Sequence, residues 1–274
     1  MEYYKVIDDN GDVRKLICSK DEKFASDPKI HKDMTNFGFT YVAANKKSLM
    51  IRELFDDVAP NYDLMNDLMS FGIHRIWKQA FVDLLAPRQA HWLLDVAGGT
   101  GDIANLWQKR GGGRVTVCDI NAKMIAVGQN RMKKNNSNIM DWIVGNAEHL
   151  PLGEGLVDRV TIAFGLRNVT DIDSALAEMT RVLRRGGRFM CLEFSQPSQK
   201  LFNSIYDIYS FRVLPWLGEQ IAHNRAAYNY LIESIRQFPN QHDLATRMSR
   251  VGLEHVQWRN LSGGIVAIHS GWRF

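Results

Sequence analysis

Short apolar runs and stretches with an apolar residue every three or four positions take turns along this chain between residues 91 and 194. The runs predict strands at 91–96, 114–119, 140–144, 159–164 and 188–194. Between them the helical spacing predicts helices from 103 to about 109, from 122 to about 133 and from 172 to 183. Ala175, Leu176, Met179 and Leu183 share one face of the last of these, and Gly186-Gly187 reads as its stop. Repeated strand, helix, strand units close as a parallel sheet with right-handed crossovers and helices on both faces. Such a sheet binds ligands at its strand C-termini.

The flanks follow other patterns. Residues 1–33 are polar and mixed in charge, and 3–7 and 13–17 around Asn10-Gly11 carry a hairpin signature, so an accessory or poorly ordered extension is expected there. From residue 49 the spacing is helical, with Met50, Leu54, Phe55 and Val58 on one face and a break at Pro60. A second short helix holds Leu64, Leu68 and Met69; Gly72 and His74 fall in a loop, and a further helix holds Ile76, Trp77, Phe81, Leu84 and Leu85. These helices should cover one end of the sheet. After the alternation, residues 200–238 are aromatic-rich and read as a helical insertion, and 254–258 with 265–269 around Ser262-Gly263-Gly264 read as a closing antiparallel hairpin. The expected division is therefore an extension at 1–33, a helical cover at 34–85 and a main domain at 86–274 carrying the insertion.

The stretch 93–102 carries the chemistry. Leu93-Leu94-Asp95-Val96-Ala97 ends in Gly98, Gly99 and Gly101, with Thr100 between them and Asp102 closing the turn. Glycine lets a ligand lie against bare backbone, and the helix that follows presents unpaired N–H groups. The spacing departs from the G-x-G-x-x-G that seats a pyrophosphate, and Asp95 and Asp102 would repel one. Two carboxylates suit a ligand with a cationic end. The turn by itself fits an ordinary strand-to-helix connection equally well. Asp119 ends the second strand, 21 residues after Gly98, where a carboxylate can accept from both hydroxyls of a ribose. Asn146 and Ala147 follow the third strand, positioned to meet an adenine edge, and Arg167 and Asn168 follow the fourth.

Composition narrows the classes. In 274 residues, 45% hydrophobic and 23% charged, there is room for one large domain or two small ones with a full core. A net charge of +4 without blocks of like charge argues against nucleic acid, and Cys18, Cys118 and Cys191 have no metal or redox spacing. No metal site is expected. Neither a secretory core nor an arginine-rich presequence opens the chain, and no apolar run approaches 18 residues, so a cytoplasmic protein is expected.

The aspartate-framed glycine turn resembles motif I of class I S-adenosylmethionine methyltransferases. With Phe37-Gly38-Phe39, residues 62–75, 95–102, 164–169 and 206–211, the chain resembles the ubiquinone/menaquinone biosynthesis C-methyltransferase family from about residue 37 to its end. The resemblance implies an α/β class I methyltransferase fold, Rossmann-like, with a mostly parallel seven-stranded sheet, an antiparallel C-terminal hairpin and an N-terminal helical cover. It implies S-adenosylmethionine as methyl donor and the ring of a polyprenyl quinol as acceptor: 2-methoxy-6-polyprenyl-1,4-benzoquinol, demethylmenaquinol or both. By position it assigns Thr100, Asp119, Asn146, Ala147 and residue 163 to the cofactor beside Gly98, and Arg167, Asn168 and Tyr62 to the reacting ring. Ala163 stands where the family commonly has serine, which removes a side-chain hydroxyl there.

Arginine, with a pKa above about 12, is a poor base. Arg167 is better suited to stabilising a phenolate or orienting a water, with Asn168 bonding a ring oxygen; His74, His223, Asp63 and Glu193 are the base candidates. A polyprenyl acceptor also asks for an apolar receiver, and Leu201, Ile205, Ile208 and Tyr209 recur at helical spacing in a stretch that should cover the acceptor and touch the membrane surface peripherally. A homodimer or a quinone-biosynthesis complex would be compatible partners. The competing readings are a non-catalytic methyltransferase-fold scaffold of such a complex, and an NAD-dependent oxidoreductase, which the glycine spacing and closing hairpin disfavour.

Overall fold

The structure, a computed structural model, describes residues 3–7, 13–17, 34–58, 67, 70, 72–134, 140–195 and 225–274. Strands β1 (Tyr3–Ile7) and β2 (Val13–Ile17) pair antiparallel with Tyr3 opposite Ile17, the pairing that Asn10-Gly11 suggests. Two more strands, β3 (Met34–Phe37) and β4 (Thr40–Ala43), form a second hairpin, and β4 lies parallel to β1. The result is a small sheet of order β2-β1-β4-β3. Residues 34–43, read from sequence as the start of a helical cover, are thus extended. Gly38 at φ 58 turns the chain, and Thr40-Tyr41-Val42 favours a pleated surface.

Helix α1 (Ala44–Val58) and helix α2 (Ile73–Leu85) follow. Helix α2 starts at Ile73, directly after Gly72 at φ 75, so His74, expected in the loop, sits in its first turn. Then the alternation unfolds: β5 (Leu93–Val96), α3 (Asp102–Lys109), β6 (Val115–Asp119), α4 (Ala122–Lys134), β7 (Met140–Val144), β8 (Val157–Ala163), α5 (Ile172–Val182) and β9 (Leu183–Phe194). Two helices, α6 (Arg225–Gln237) and α7 (Gln241–Arg250), precede the closing strands β10 (Glu254–Leu261) and β11 (Val266–Arg273).

The main sheet runs β10-β11-β9-β8-β5-β6-β7. Strands β9, β8, β5, β6 and β7 are mutually parallel, and β11 is antiparallel to both β9 and β10. One expectation fails in detail. Gly186-Gly187 does not stop α5, because β9 starts directly at Leu183; Leu183 pairs with Val157 and Arg188 with Arg159, and the residues between bulge out with Gly186 at φ 74.

Both faces of the sheet are covered, so its strands read as unbroken apolar runs. Leu94, Cys118, Ile162 and Phe189 pack on one side against Leu176 and Met179 of α5 and Leu244 and Met248 of α7. Leu93, Val117, Met190 and Leu192 pack on the other against Phe81 of α2 and Trp107 of α3. Chain order reverses between β5 and β8, which places a crevice beyond their carboxyl ends. Trp77 fixes α2 over that crevice, donating its indole N–H to Ser262 Oγ at 2.9 Å.

Candidate functional site

Turns after β5 and β8 meet at the crevice. Ala97 (φ 49) and Phe164 (φ 57) are non-glycine residues in left-handed backbone, a strain that folds bear mostly at functional positions. The two turns touch so closely that a Cβ on Gly165 would lie 2.6 Å from that of Ala97. Around them runs a groove with two ends that share Ala97, Gly99 and Phe164.

At one end Asp119, Asn146, Ala147 and Asn168 line the groove, with Ser48, Ile51 and Arg52 of α1 as a facing wall. Asp119 is buried and already holds the turn together. Its Oδ2 accepts from the Gly99 N–H and its Oδ1 from the Asn121 N–H, each at 2.8 Å. Burial nevertheless pushes its carboxyl above the ordinary range, against the pull of those two bonds. Asn146 Oδ1 accepts from the Glu148 N–H at 3.0 Å, which fixes the side chain at the groove's edge.

At the other end Gly98, Thr100 and Ala163 line the groove with Asp95, Asp102 and Lys78. Asp95 is wholly buried; its Oδ1 accepts from Thr161 Oγ1 at 2.8 Å, while its buried Oδ2 has no hydrogen-bond partner. Desolvation raises its carboxyl to about 7. The orphan oxygen needs a donor. A cationic ligand end would supply one, and Gly98 leaves the approach bare, since a Cβ there would stand 2.8 Å from that oxygen and 2.7 Å from Val117 Cγ1. Acceptors at one end, an acidic orphan at the other and bare backbone between them fit a nucleoside joined to an amino acid. All six residues assigned by sequence to the cofactor therefore lie around one groove.

The residues assigned to the ring are distributed differently. Asn168 lines the groove, and its Oδ1 accepts from the buried Tyr230 hydroxyl of α6 at 3.1 Å. Burial holds the Tyr230 phenol well above its usual range, so it stays a donor. Arg167 lies behind Phe164. Its Nη1 donates to the Phe164 carbonyl at 2.6 Å and to Glu193 Oε1 at 2.7 Å, and its guanidinium stands 5.4 Å from the centre of the Phe194 ring. Glu193 Oε1 also accepts from the Phe194 N–H and Oε2 from the Arg167 N–H, so both oxygens are engaged, which suits a tether better than a base. His74 Nδ1 lies 2.8 Å from Ser70 Oγ, in a neighbouring cavity with Arg75 and Arg131, and burial lowers its pKa. Tyr62, Asp63 and His223, with the stretch 201–217, lie outside the described residues.

Three features escaped sequence reasoning. Tyr230 orients Asn168 across 62 residues, with no local signal. An aromatic cluster of Trp77, Phe164 and Phe194, with Phe164 and Phe194 centroids 4.9 Å apart, seals the floor beneath α2. Lys47 of α1 donates to the Val169 carbonyl at 2.8 Å, and burial brings its ammonium down to about 8. Only the chance that a lysine falls on a helix's buried face could have marked it.

The model of the ubiE/COQ5 methyltransferase family matches residues 41–273. Over 242 residues the chain is 51% identical to a ubiquinone/menaquinone biosynthesis C-methyltransferase UbiE from Acidiphilium cryptum, covering 88% of this chain and 97% of that one. It is 46% identical over 262 residues to a mitochondrial 2-methoxy-6-polyprenyl-1,4-benzoquinol methylase from Oryza sativa, covering 88% and 89%. Among solved structures, a SAM-dependent methyltransferase from Aquifex aeolicus superposes with a TM-score of 0.54 at 12% identity, covering 72% of this chain and 89% of that one, a likeness of fold alone.

Proposed function

Because this chain belongs to the ubiE/COQ5 methyltransferase family, we propose that it transfers the methyl group of S-adenosylmethionine to a ring carbon of a polyprenyl quinol. The acceptor is 2-methoxy-6-polyprenyl-1,4-benzoquinol, demethylmenaquinol or both, and the products feed ubiquinone and menaquinone biosynthesis. One observation carries the reading: Asp119 and the orphan oxygen of Asp95 lie at opposite ends of a groove floored by the Gly98 turn.

Bound S-adenosylmethionine supplies an electrophilic methyl group on sulfur. Asp119, Asn146 and Ala147 hold the nucleoside end, and Gly98, Thr100 and Ala163 line the amino-acid end. The ring carbon becomes nucleophilic as a neighbouring hydroxyl passes its proton to water, and it must stand in line at roughly 3 Å, so positioning does much of the work. Asn168 is built for that task. With Oδ1 held by Tyr230, its Nδ2 hydrogens have no partner among the described residues and can donate to a developing phenolate. Arg167, neutralised by Glu193, acts chiefly by fixing the turn that presents Phe164 and Asn168. Tyr62 is assigned to the ring by its position in the family motif.

A polyprenyl tail leaves the bilayer at about 0.8 kcal/mol per CH₂, so the proposal includes peripheral contact with the inner face of a membrane, through the aromatic stretch 201–217. Among the described residues no helix is long and apolar enough to cross one. Complementation tests the function: in a bacterial strain lacking its own quinol C-methyltransferase, this chain should restore ubiquinone, menaquinone or both in extracted lipids. Restoration of neither by well-expressed protein would favour the scaffold reading.

A further inference from the structure

The Phe37-Gly38-Phe39 turn joins β3 to β4 outside the groove, yet it closes on α6, the helix that reaches Asn168. The Phe39 N–H donates to Glu233 Oε2 of α6 at 2.9 Å, and the Phe37 ring stacks on that of Tyr230 with centroids 4.4 Å apart and planes at 26°. Tyr230 and Glu233 stand three positions apart, so the turn grips one face of α6 twice. Gly38 makes the grip possible. Its φ of 58 is a backbone that glycine tolerates, and a Cβ there would run into the Glu233 carboxylate. The same strand also reaches the loop that carries Asn168, since Thr35 Oγ1 donates to the Thr170 carbonyl at 3.3 Å.

Tyr230 is the link to the chemistry. Its hydroxyl holds Asn168 Oδ1 by a single bond of 3.1 Å, and the ring torsion of a tyrosine is broad, so that bond alone does not fix the phenol. The stack on Phe37 does, because a ring only 6% exposed and lying against a second ring keeps its plane and with it the direction of the O–H. We propose that the Phe37-Gly38-Phe39 turn is a positioning element for the acceptor: it sets Tyr230, and through the Tyr230 hydroxyl the aim of the Asn168 amide at the ring oxygen. The inference rests on the reading of Asn168 as the residue that bonds that oxygen. It gives the small N-terminal sheet a part in methyl transfer, exerted through α6.

The test is a double-mutant cycle of Phe37→Leu and Asn168→Ala, read as single-turnover methyl transfer from S-adenosylmethionine to reduced 2-methoxy-6-polyprenyl-1,4-benzoquinol and to demethylmenaquinol in separate reactions. Phe37→Leu keeps an apolar side chain without the flat face. It should slow transfer about tenfold, while affinity for S-adenosylmethionine, measured by calorimetric titration, changes far less. Phe37→Tyr keeps the ring and should stay near the wild-type rate. In the Asn168→Ala background Phe37→Leu should cause no further loss, because the amide that the turn aims is gone. A full additional loss there would show that the turn only stabilises α6 and would overturn the proposal, as would a wild-type rate for Phe37→Leu alone. Should Phe37→Leu fail to fold, Glu233→Gln takes its place in the same cycle; it removes the charge from the bond to Phe39 but keeps an acceptor, and a loss of about threefold is expected, again absent in the Asn168→Ala background. A wild-type rate for Asn168→Ala would instead overturn the reading of Asn168, and the proposal with it.

Discussion

Arg167 and Glu193 form an ion pair of 2.7 Å with side chains 7% and 1% exposed, linking the turn after β8 to the end of β9. A buried pair contributes little net stability compared with apolar residues, but losing one partner strands the other charge out of water. Glu193→Ala should therefore lower the unfolding free energy by about 3 to 5 kcal/mol in urea titration. An unchanged midpoint and slope would mean that the pair is not closed in solution.

Arg167→Lys should behave differently. Lysine keeps the charge but not the planar fork, and a single guanidinium nitrogen now serves both the Phe164 carbonyl and Glu193. Turnover should fall far more than affinity for S-adenosylmethionine, because Asn168 loses its fixed aim while Asp119 and the Gly98 turn are untouched. Wild-type turnover with both ring classes would contradict this role.

Asp119→Ala removes more than a ligand contact, since Gly99 and Asn121 lose their shared acceptor. Weaker binding of S-adenosylmethionine by about 1.5 to 3 kcal/mol is expected, together with a lower melting temperature. The fold should persist on its apolar layers. Titration calorimetry and thermal melting read the two effects separately, and unchanged affinity would remove Asp119 from the site.

Asp95 gives the protein a pH dependence of definite sign. Its carboxyl is raised to about 7 when folded, against about 3.9 for a free aspartate, so between those values the native state holds a proton that the unfolded chain has lost. The stability it contributes is full below about 4 and is lost as pH rises through 7. Binding runs the other way, since the cationic end of the donor pairs with the ionised form. Asp95→Asn should flatten that part of the stability profile and abolish the rise in affinity across neutral pH. A wild-type profile flat from pH 5 to 8 would contradict the assignment.

Much of this was legible in the chain because a sheet covered on both faces writes itself as apolar runs, as at Leu93-Leu94 and Val115–Asp119. The glycine turn was equally open, since Asp119 ends a strand and Gly98 and Asn146 each follow one closely, positions where spacing is diagnostic. Local signals misled at Gly186-Gly187, which looks the same in a bulge as at a helix stop. They also misled at Thr40-Tyr41-Val42, too short for periodicity to separate strand from helix. Contacts that join distant segments left no trace: Tyr230 with Asn168, Lys47 with Val169, Arg167 with Glu193. Such pairs arise only once the turns after β5 and β8 are brought together.

Methyl transfer itself is the most direct test. Purified protein would be given S-adenosylmethionine bearing a deuterated methyl group, with reduced 2-methoxy-6-polyprenyl-1,4-benzoquinol and demethylmenaquinol in separate reactions, and the product ring sequenced by fragmentation mass spectrometry. The deuterated methyl should appear on a ring carbon of at least one acceptor, and Asn168→Ala should slow its appearance far more than it weakens donor binding. Label on a ring oxygen, or none on either acceptor while the donor binds normally, would contradict the account.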